Sequence, residues 1–259
     1  QLCRDEDVVL AYVSGRDQSL VEQAIERYDL PQPDYVIADV GATIYQLGEM
    51  ADWHRWSRWG EQISPDWNGY TTQQLLQQFT DWPGLREQEP AKQQQFKASF
   101  YVELELNKTS LIEKMESHLN MLDVRANLIW SVDEELSVGL LDLLPEAAGK
   151  YPAIDFLRRQ LKLQETEVLF CGDSGNDLDV MVSPIPSVLV ANAELSVINE
   201  AQQRISESAS ADRFYVAKGG FLGMNGCYSA GILEGLAHYY PDFTSRLNVE
   251  NGVDPIDRL

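Results

Sequence analysis

The chain has 259 residues, 44% of them hydrophobic and 24% charged, with a formal net charge of −21 at pH 7. This is the profile of a soluble globular protein of one large domain or two smaller ones, and the charge excludes nucleic acid and anionic lipid, which are held by clustered Lys and Arg. No apolar run approaches the roughly 20 residues that span a bilayer, no charged-then-apolar leader opens the chain, and the odd, scattered set Cys3, Cys171 and Cys227 points to a reducing cytoplasm rather than a disulfide framework. A small anion remains an eligible ligand wherever local donors or a metal overcome the field.

In chain order, "VVLAYVS" (8–14) is a β-rich apolar run closed by Gly15 and followed by the helical pattern "SLVEQAIERY" (19–28). "PDYVIADVG" (33–41) repeats the scheme of turn, apolar strand and glycine, and the apolar strand recurs in "TEVLFCGD" (166–173) and "PSVLVANA" (186–193). Amphipathic segments flank them at 151–163, 193–206 and 228–240. Strands alternating with helices predict a doubly wound parallel sheet covered on both faces, an α/β fold. The middle reads differently: "ADWHRWSRWGEQISPDW", a Gln-rich helix near 71–80, "FKASFYVELEL" (96–106), a charged helix near 108–120, "ANLIWSV" and "SVGLLDLL". The predicted organisation is a core of residues 1–45 and 140–259 interrupted by an α+β insert at 46–139.

Ligands of open α/β sheets bind outside the carboxyl ends of strands, and four such ends carry suggestive groups: "SGRD" (14–17), "VGAT" (40–43), "GDSGND" (172–177) and "NA" (192–193). They are expected to converge on one crevice. In "GDSGND", Asp173 and Asp177 lie about one helical turn apart, a spacing of carboxylates that suits Mg²⁺; a helix cap is the plainer alternative. Ser14 and the N–H of Gly15 can meet a phosphate oxygen at a helix start, although an ordinary turn capped by Asp17 or Ser19 explains "SGRD" alone equally simply. Lys150 opens a helix against the dipole, which fits either an anionic partner or a surface lysine. Trp53, Trp56 and Trp59 recur every third residue, followed by Trp67, as one buried helix face would, with sugar stacking as the alternative. His54, His118 and His238 show no metal spacing.

Together "LAYVSGRDQSLVEQAI", "LPQPDYVIADVGATIY", "FKASFYVEL", "LLDLLPEAAGK", "CGDSGNDLDVM", "VLVANA" and "AGILEGLAHY" resemble the haloacid dehalogenase superfamily of phosphohydrolases, and within it the sucrose-phosphatase branch. The resemblance runs in family order from residue 8 to residue 240. It implies a Mg²⁺-dependent phosphoric monoester hydrolase that attacks phosphorus with an aspartate and hydrolyses the aspartyl-phosphate. The substrate implied is sucrose 6-phosphate, with a sucrose-phosphate synthase as the partner enzyme.

By position the resemblance implies that Ser14, with Gly15 and Arg16 of the same turn, binds phosphate. Lys150 then pairs with nucleophile and phosphate. Asp173 and Asp177 serve Mg²⁺, and Asn176 fixes the loop and meets the phosphate. Lys97 and Asp142 lie near the sugar, and the insert becomes the cap that reads the sugar and excludes water. Two alternatives stay open: another phosphorylated disaccharide or sugar derivative as substrate, or a phosphosugar-binding domain without catalysis.

The chain departs from the family pattern at its start. The nucleophile motif Asp-x-Asp-x-Thr at the end of a first strand is absent; Asp5 and Asp7 in "CRDED" have the right mutual spacing, but no strand precedes them and no helix separates them from "VVLAYVSGRD". The expectation is a chain beginning after its central strand, inactive as given, whose four visible strands leave that strand's place unfilled. Tyr151, where a glycine commonly follows the family lysine, and "GGFLGMNG" (219–226) are smaller departures.

Overall fold

The computed structural model describes residues 8–48, 52–133, 136–206, 208 and 211–244; Asp5, Asp7 and Cys3 lie outside them. By internal packing the chain divides into two compact units, Val9–Leu157 and one holding the described residues from Arg158 onward.

In the first unit β1 (Ala11–Val13) leads into α1 (Gln18–Arg27), whose apolar positions Val21 and Ile25 turn inward. β2 (Tyr35–Ala38) is apolar and fully buried, as a strand covered on both faces must be. β1 and β2 run parallel with Tyr12 opposite Val36. Val21, Ile25, Val36, Ala38 and Tyr45 form one core cluster, with Tyr12, Leu47 and Trp53 packed against it. A left-handed turn then returns the chain as β3 (Thr43–Leu47), antiparallel to β2, and β4 (Trp53–Arg55) pairs antiparallel with β3. This sheet has the order β1-β2-β3-β4, so it continues into the range read as the insert.

The tryptophan spacing straddles a strand and a helix. Trp53 lies in β4, Trp56 precedes α2 (Ser57–Ile63), and Trp59 lies within it, so the four do not form a single helix face. Trp59 and Trp67 are buried, and Trp53 meets Tyr45 edge-on at 5.3 Å. Next come α3 (Thr72–Gln77), β5 (Leu85–Glu87), β6 (Ala98–Val102), α4 (Lys108–Met121), β7 (Ala126–Asp133) and β8 (Val138–Pro145). The strands form an antiparallel sheet of order β5-β6-β8-β7; α3 lies against β6 and α4 against β7. Capping fixes both helix starts: Thr71 and Gln74 form a reciprocal capping box, and Asn107 accepts the N–H of Ser110, each satisfying donors a helix leaves open.

α5 (Lys150–Gln160) leads to the second unit, where β9 (Phe170–Gly172), α6 (Leu178–Met181), β10 (Ser187–Leu189), α7 (Leu195–Ser206), β11 (Phe214–Val216), α8 (Ser229–Tyr239) and α9 (Pro241–Thr244) follow. β9, β10 and β11 are parallel in the order β11-β10-β9, with α6 and α8 on β10. Parallel strands alternating with helices are therefore present in both units. Among the described residues β1 pairs only with β2 and β9 only with β10, and no helix is long and apolar enough to cross a membrane.

The β2–β3 turn is made by Asp39–Gly41, where Asp39, Val40 and Gly41 all have positive φ (54°, 57° and 93°). Only glycine is at ease there. A Cβ on Gly41 would also fall 2.2 Å from the carbonyl carbon and oxygen of Gly149 and 2.8 Å from the nitrogen of Lys150. Gly41→Ala is therefore expected to destabilise the protein by ~3 kcal/mol. Urea unfolding followed by tryptophan fluorescence measures this, and an unchanged midpoint would show that the backbones need not approach so closely.

Candidate functional site

Ser14 ends β1, and the turn it opens is tied to the end of β2. The N–H of Ser14 donates to the Ile37 carbonyl (2.8 Å), that of Asp39 to the Arg16 carbonyl (3.0 Å), and that of Val40 to the Ser14 carbonyl (3.2 Å). Inside the turn the Ser14 hydroxyl accepts the N–H of Arg16 at 3.1 Å. Asp17 caps α1 by accepting the N–H of Leu20 (2.9 Å) and the Ser19 hydroxyl (3.1 Å). The plain role foreseen for Asp17 is thus real, and it leaves Ser14, Gly15 and Arg16 at a capped helix start.

Lys150 is the first residue of α5 and is 7% exposed, so it is not a surface lysine. Its backbone reaches the same turn through Gly41, whose φ of 93° and lack of a Cβ admit Gly149 and Lys150. The Trp59 indole N–H closes the arrangement by donating to the Gly41 carbonyl at 2.9 Å. Ser14 and Arg16, and Lys150 more than a hundred residues further along the chain, are thus brought to the two sides of one three-residue turn.

Lys97 and Asp142 also meet. The buried Lys97 ammonium lies 3.8 Å from Asp142 Oδ2, while Asp142 Oδ1 accepts the Ser99 hydroxyl at 2.6 Å. β6 and β8 set this up by pairing Ser99 directly with Asp142. Next to Thr43 and Lys97 stands a residue the sequence reading passed over, Asp39. It has no exposed surface, and among the described residues neither carboxyl oxygen has a partner in full hydrogen-bond geometry, although the Thr43 hydroxyl stands close enough to favour the ionised form. Burial pushes its carboxyl above the usual carboxylate range, only partly opposed by Lys97, the Thr43 hydroxyl and Arg55, and reinforced by Asp17. The phenol of Tyr45 is raised by its own burial and then by Asp39. The signal was available: one acidic residue inside the apolar run "YVIADVG". Arg55 donates to the Thr43 hydroxyl at 3.4 Å and lines a cavity of about 440 Å³ with Trp56, Ser57, Glu61, Gln95 and Phe96.

In the second unit Asp173 follows β9 and is exposed, and its Oδ2 accepts the Asn192 amide at 3.0 Å. Asn192, noticed only as part of a strand end, also accepts the N–H of Tyr228 at 2.7 Å. Asp177 is buried, and its Oδ2 accepts the N–H of Ser174 at 3.1 Å in a capping box, with Asn176 in the same short turn. Capping does not exhaust the carboxylates at this strand end. Among the described residues no group of three or more His, Cys, Asp and Glu comes together as a metal site. Two oxygen donors still fit Mg²⁺, which takes one or two carboxylates and completes its shell with water and phosphate oxygens.

The chain matches the family of sucrose-6F-phosphate phosphohydrolases over residues 1–240. A HAD-like hydrolase of Nitrosococcus oceani is 45% identical over 242 residues, which cover 93% of this chain and 65% of that protein. The mannosylfructose-phosphate phosphatase of Agrobacterium fabrum is 27% identical over 238 residues, 89% of this chain and 83% of that one. Among solved structures, the sucrose-phosphatase of a Synechocystis species in complex with sucrose and phosphate superposes with a TM-score of 0.71 at 25% identity, covering 89% of this chain and 84% of its own.

Cys171, two residues before Asp173, reports on this strand. Burial pushes its thiol up to about 12, so the thiolate is on the order of one part in ten thousand at pH 8. Alkylation at that pH followed by mass spectrometry should label Cys227 at least ~10-fold faster than Cys171. Equal labelling would mean that the end of β9 opens to solvent.

Proposed function

The chain belongs to the sucrose-6F-phosphate phosphohydrolase family, and from it we propose the hydrolysis of a phosphorylated disaccharide, with sucrose 6-phosphate the first choice, to sugar and phosphate. The observation that carries the proposal is the meeting of the Ser14–Arg16 backbone and Lys150 on the Asp39–Gly41 turn. Backbone N–H groups and a hydroxyl at a helix start, with a lysine beside them, offer donors to a phosphoryl group.

In this reading Ser14, Gly15 and Arg16 bind phosphate oxygens and Lys150 balances their charge. Lys97 and Asp142 meet sugar hydroxyls, the ammonium donating and the carboxylate accepting. Asn176 orders the turn in which Asp173 and Asp177 would hold Mg²⁺, with Asn192 orienting Asp173. When bound, that ion neutralises charge on the phosphoryl oxygens. The attacking aspartate is expected outside the described residues. Its carboxylate oxygen forms the bond to phosphorus as the bond to the sugar oxygen breaks, the sugar oxygen takes up a proton, and water then cleaves the aspartyl-phosphate. An enzyme that phosphorylates or couples sugars, such as a sucrose-phosphate synthase, would supply the substrate.

The alternative substrate is a related sugar phosphate, in keeping with the likeness to a mannosylfructose-phosphate phosphatase. Phosphate release by the full natural polypeptide with Mg²⁺, compared over sucrose 6-phosphate, mannosylfructose phosphate and simple hexose phosphates, tests the proposal. Sucrose 6-phosphate should lead in kcat/KM, chelation of the metal should abolish release, and Lys150→Ala should lower kcat/KM by ~100-fold or more. Tight binding of the ester without release would replace the hydrolase reading with that of a phosphosugar-binding domain.

A further inference from the structure

Asp39 has no part in the chemistry described above, yet its position is costly. A buried carboxyl with no partner in full hydrogen-bond geometry is unfavourable, and its backbone, with that of Val40, lies in the left-handed region that non-glycine residues avoid. Such strain persists only where the surroundings over-determine it. Here they do: the turn is held by Ser14 and Arg16 on one side and by Gly149 and Lys150 on the other.

The charged and titratable groups around Asp39 come from each element packed on it. Asp17 faces it from the phosphate-side turn, Tyr45 and Thr43 from β3, Arg55 from β4, and Lys97 from the segment entering β6. Asp39 is fully buried, so it cannot touch substrate directly; of the two cations that act on it, Lys97 outweighs Arg55 and also faces Asp142, and Lys97 is the one through which it can act. With both carboxyls ionised the cluster of Asp39, Lys97 and Asp142 is net negative. With Asp39 neutral it balances to zero, and the cluster that holds the sugar no longer repels the phosphate the sugar carries.

We propose that Asp39 is a positioning and charge-setting residue of the sugar-phosphate site, a buried carboxyl that acts on Lys97 in addition to Asp142, and that it makes the site discriminate between a phosphorylated sugar and the free sugar. This deepens the function proposed above and rests on it. The sign follows from the direction in which burial moves the group: as pH rises Asp39 ionises, negative charge accumulates beside Lys97, and an anionic ester loses affinity while a neutral sugar loses little.

The test is calorimetric binding of sucrose 6-phosphate and of sucrose to the wild type and to Asp39→Asn, with divalent metal chelated so that the ester is not turned over, from about pH 5 to about pH 9. The ester's own ionisation is common to both proteins and cancels in the comparison. The ester-to-sucrose affinity ratio should be the same in both at the acid end. At the alkaline end it should fall roughly tenfold in the wild type relative to Asp39→Asn. Parallel pH profiles would overturn the proposal and leave the functional reading standing. A wild type that binds neither ligand would overturn the functional reading, and the proposal with it. Should Asp39→Asn fail to fold, carbon-13 titration of the Asp39 carboxyl in the wild type decides. Saturating ester should raise the midpoint by about one pH unit, and an unmoved midpoint overturns the proposal.

Discussion

The first unit depends on a contact between two stretches of backbone. Gly41 lies so close to Gly149 and Lys150 that no side chain fits between them, and this closeness joins the end of a parallel strand to the start of a helix far along the chain. Three successive left-handed residues bring the backbone there, and hydrogen bonds to Ser14 and Arg16 fix it from the other side. Trp59 seals the contact with its indole N–H. The Ser14–Arg16 turn, the buried lysine and the strained acid all take their positions from this arrangement. Strain at Val40 is tolerated because several short hydrogen bonds and a buried aromatic ring would have to be given up to relieve it.

Much of this was legible in the sequence. Strand-then-glycine endings located β1, β2 and β9, and a continuous apolar run located β10, because a fully covered strand must be continuously apolar and a tight exit favours glycine. The helices of 10 residues or more were marked by their period. Less legible were the short strands β4, β5 and β11, three residues each, which are too brief to show alternation. The tryptophan spacing misled for the same reason: a period of three crosses from β4 into α2 and has no meaning across that boundary. Of the candidate site, Ser14 and Lys150 were singled out by their chemistry at helix starts, Lys97 and Asp142 by family order alone, and the structure gives each a neighbour the sequence could not show. Asp39 was missed because a lone acid in an apolar run looks like a strand end until its burial is known.

A charge of −21 is at odds with the proposed binding of a phosphate ester only if the field is taken as uniform. The first unit places buried cations, Lys97 and Lys150, where solvent screening is weak. The acidic surface acts through water and salt, and its influence decays over about 8 Å at physiological ionic strength. Local arrangement outweighs net charge at that range. The long, polar Arg125 shows the surface counterpart: it reaches back to the buried Asp66, whose other oxygen accepts the N–H of Ala147 at 2.6 Å, and so ties the segment that leads to Gly149.

The same backbone contact sets the order in which the first unit can assemble. The β7–β8 and β2–β3 hairpins join residues near in sequence and close quickly, whereas Gly41 and Gly149 are roughly 110 residues apart and must await the chain between them. The Ser14–Arg16 turn and Lys150 are therefore expected to come together late in folding. A ligand held by both sides of that turn would bind the finished unit alone, and by mass action would act as its latch.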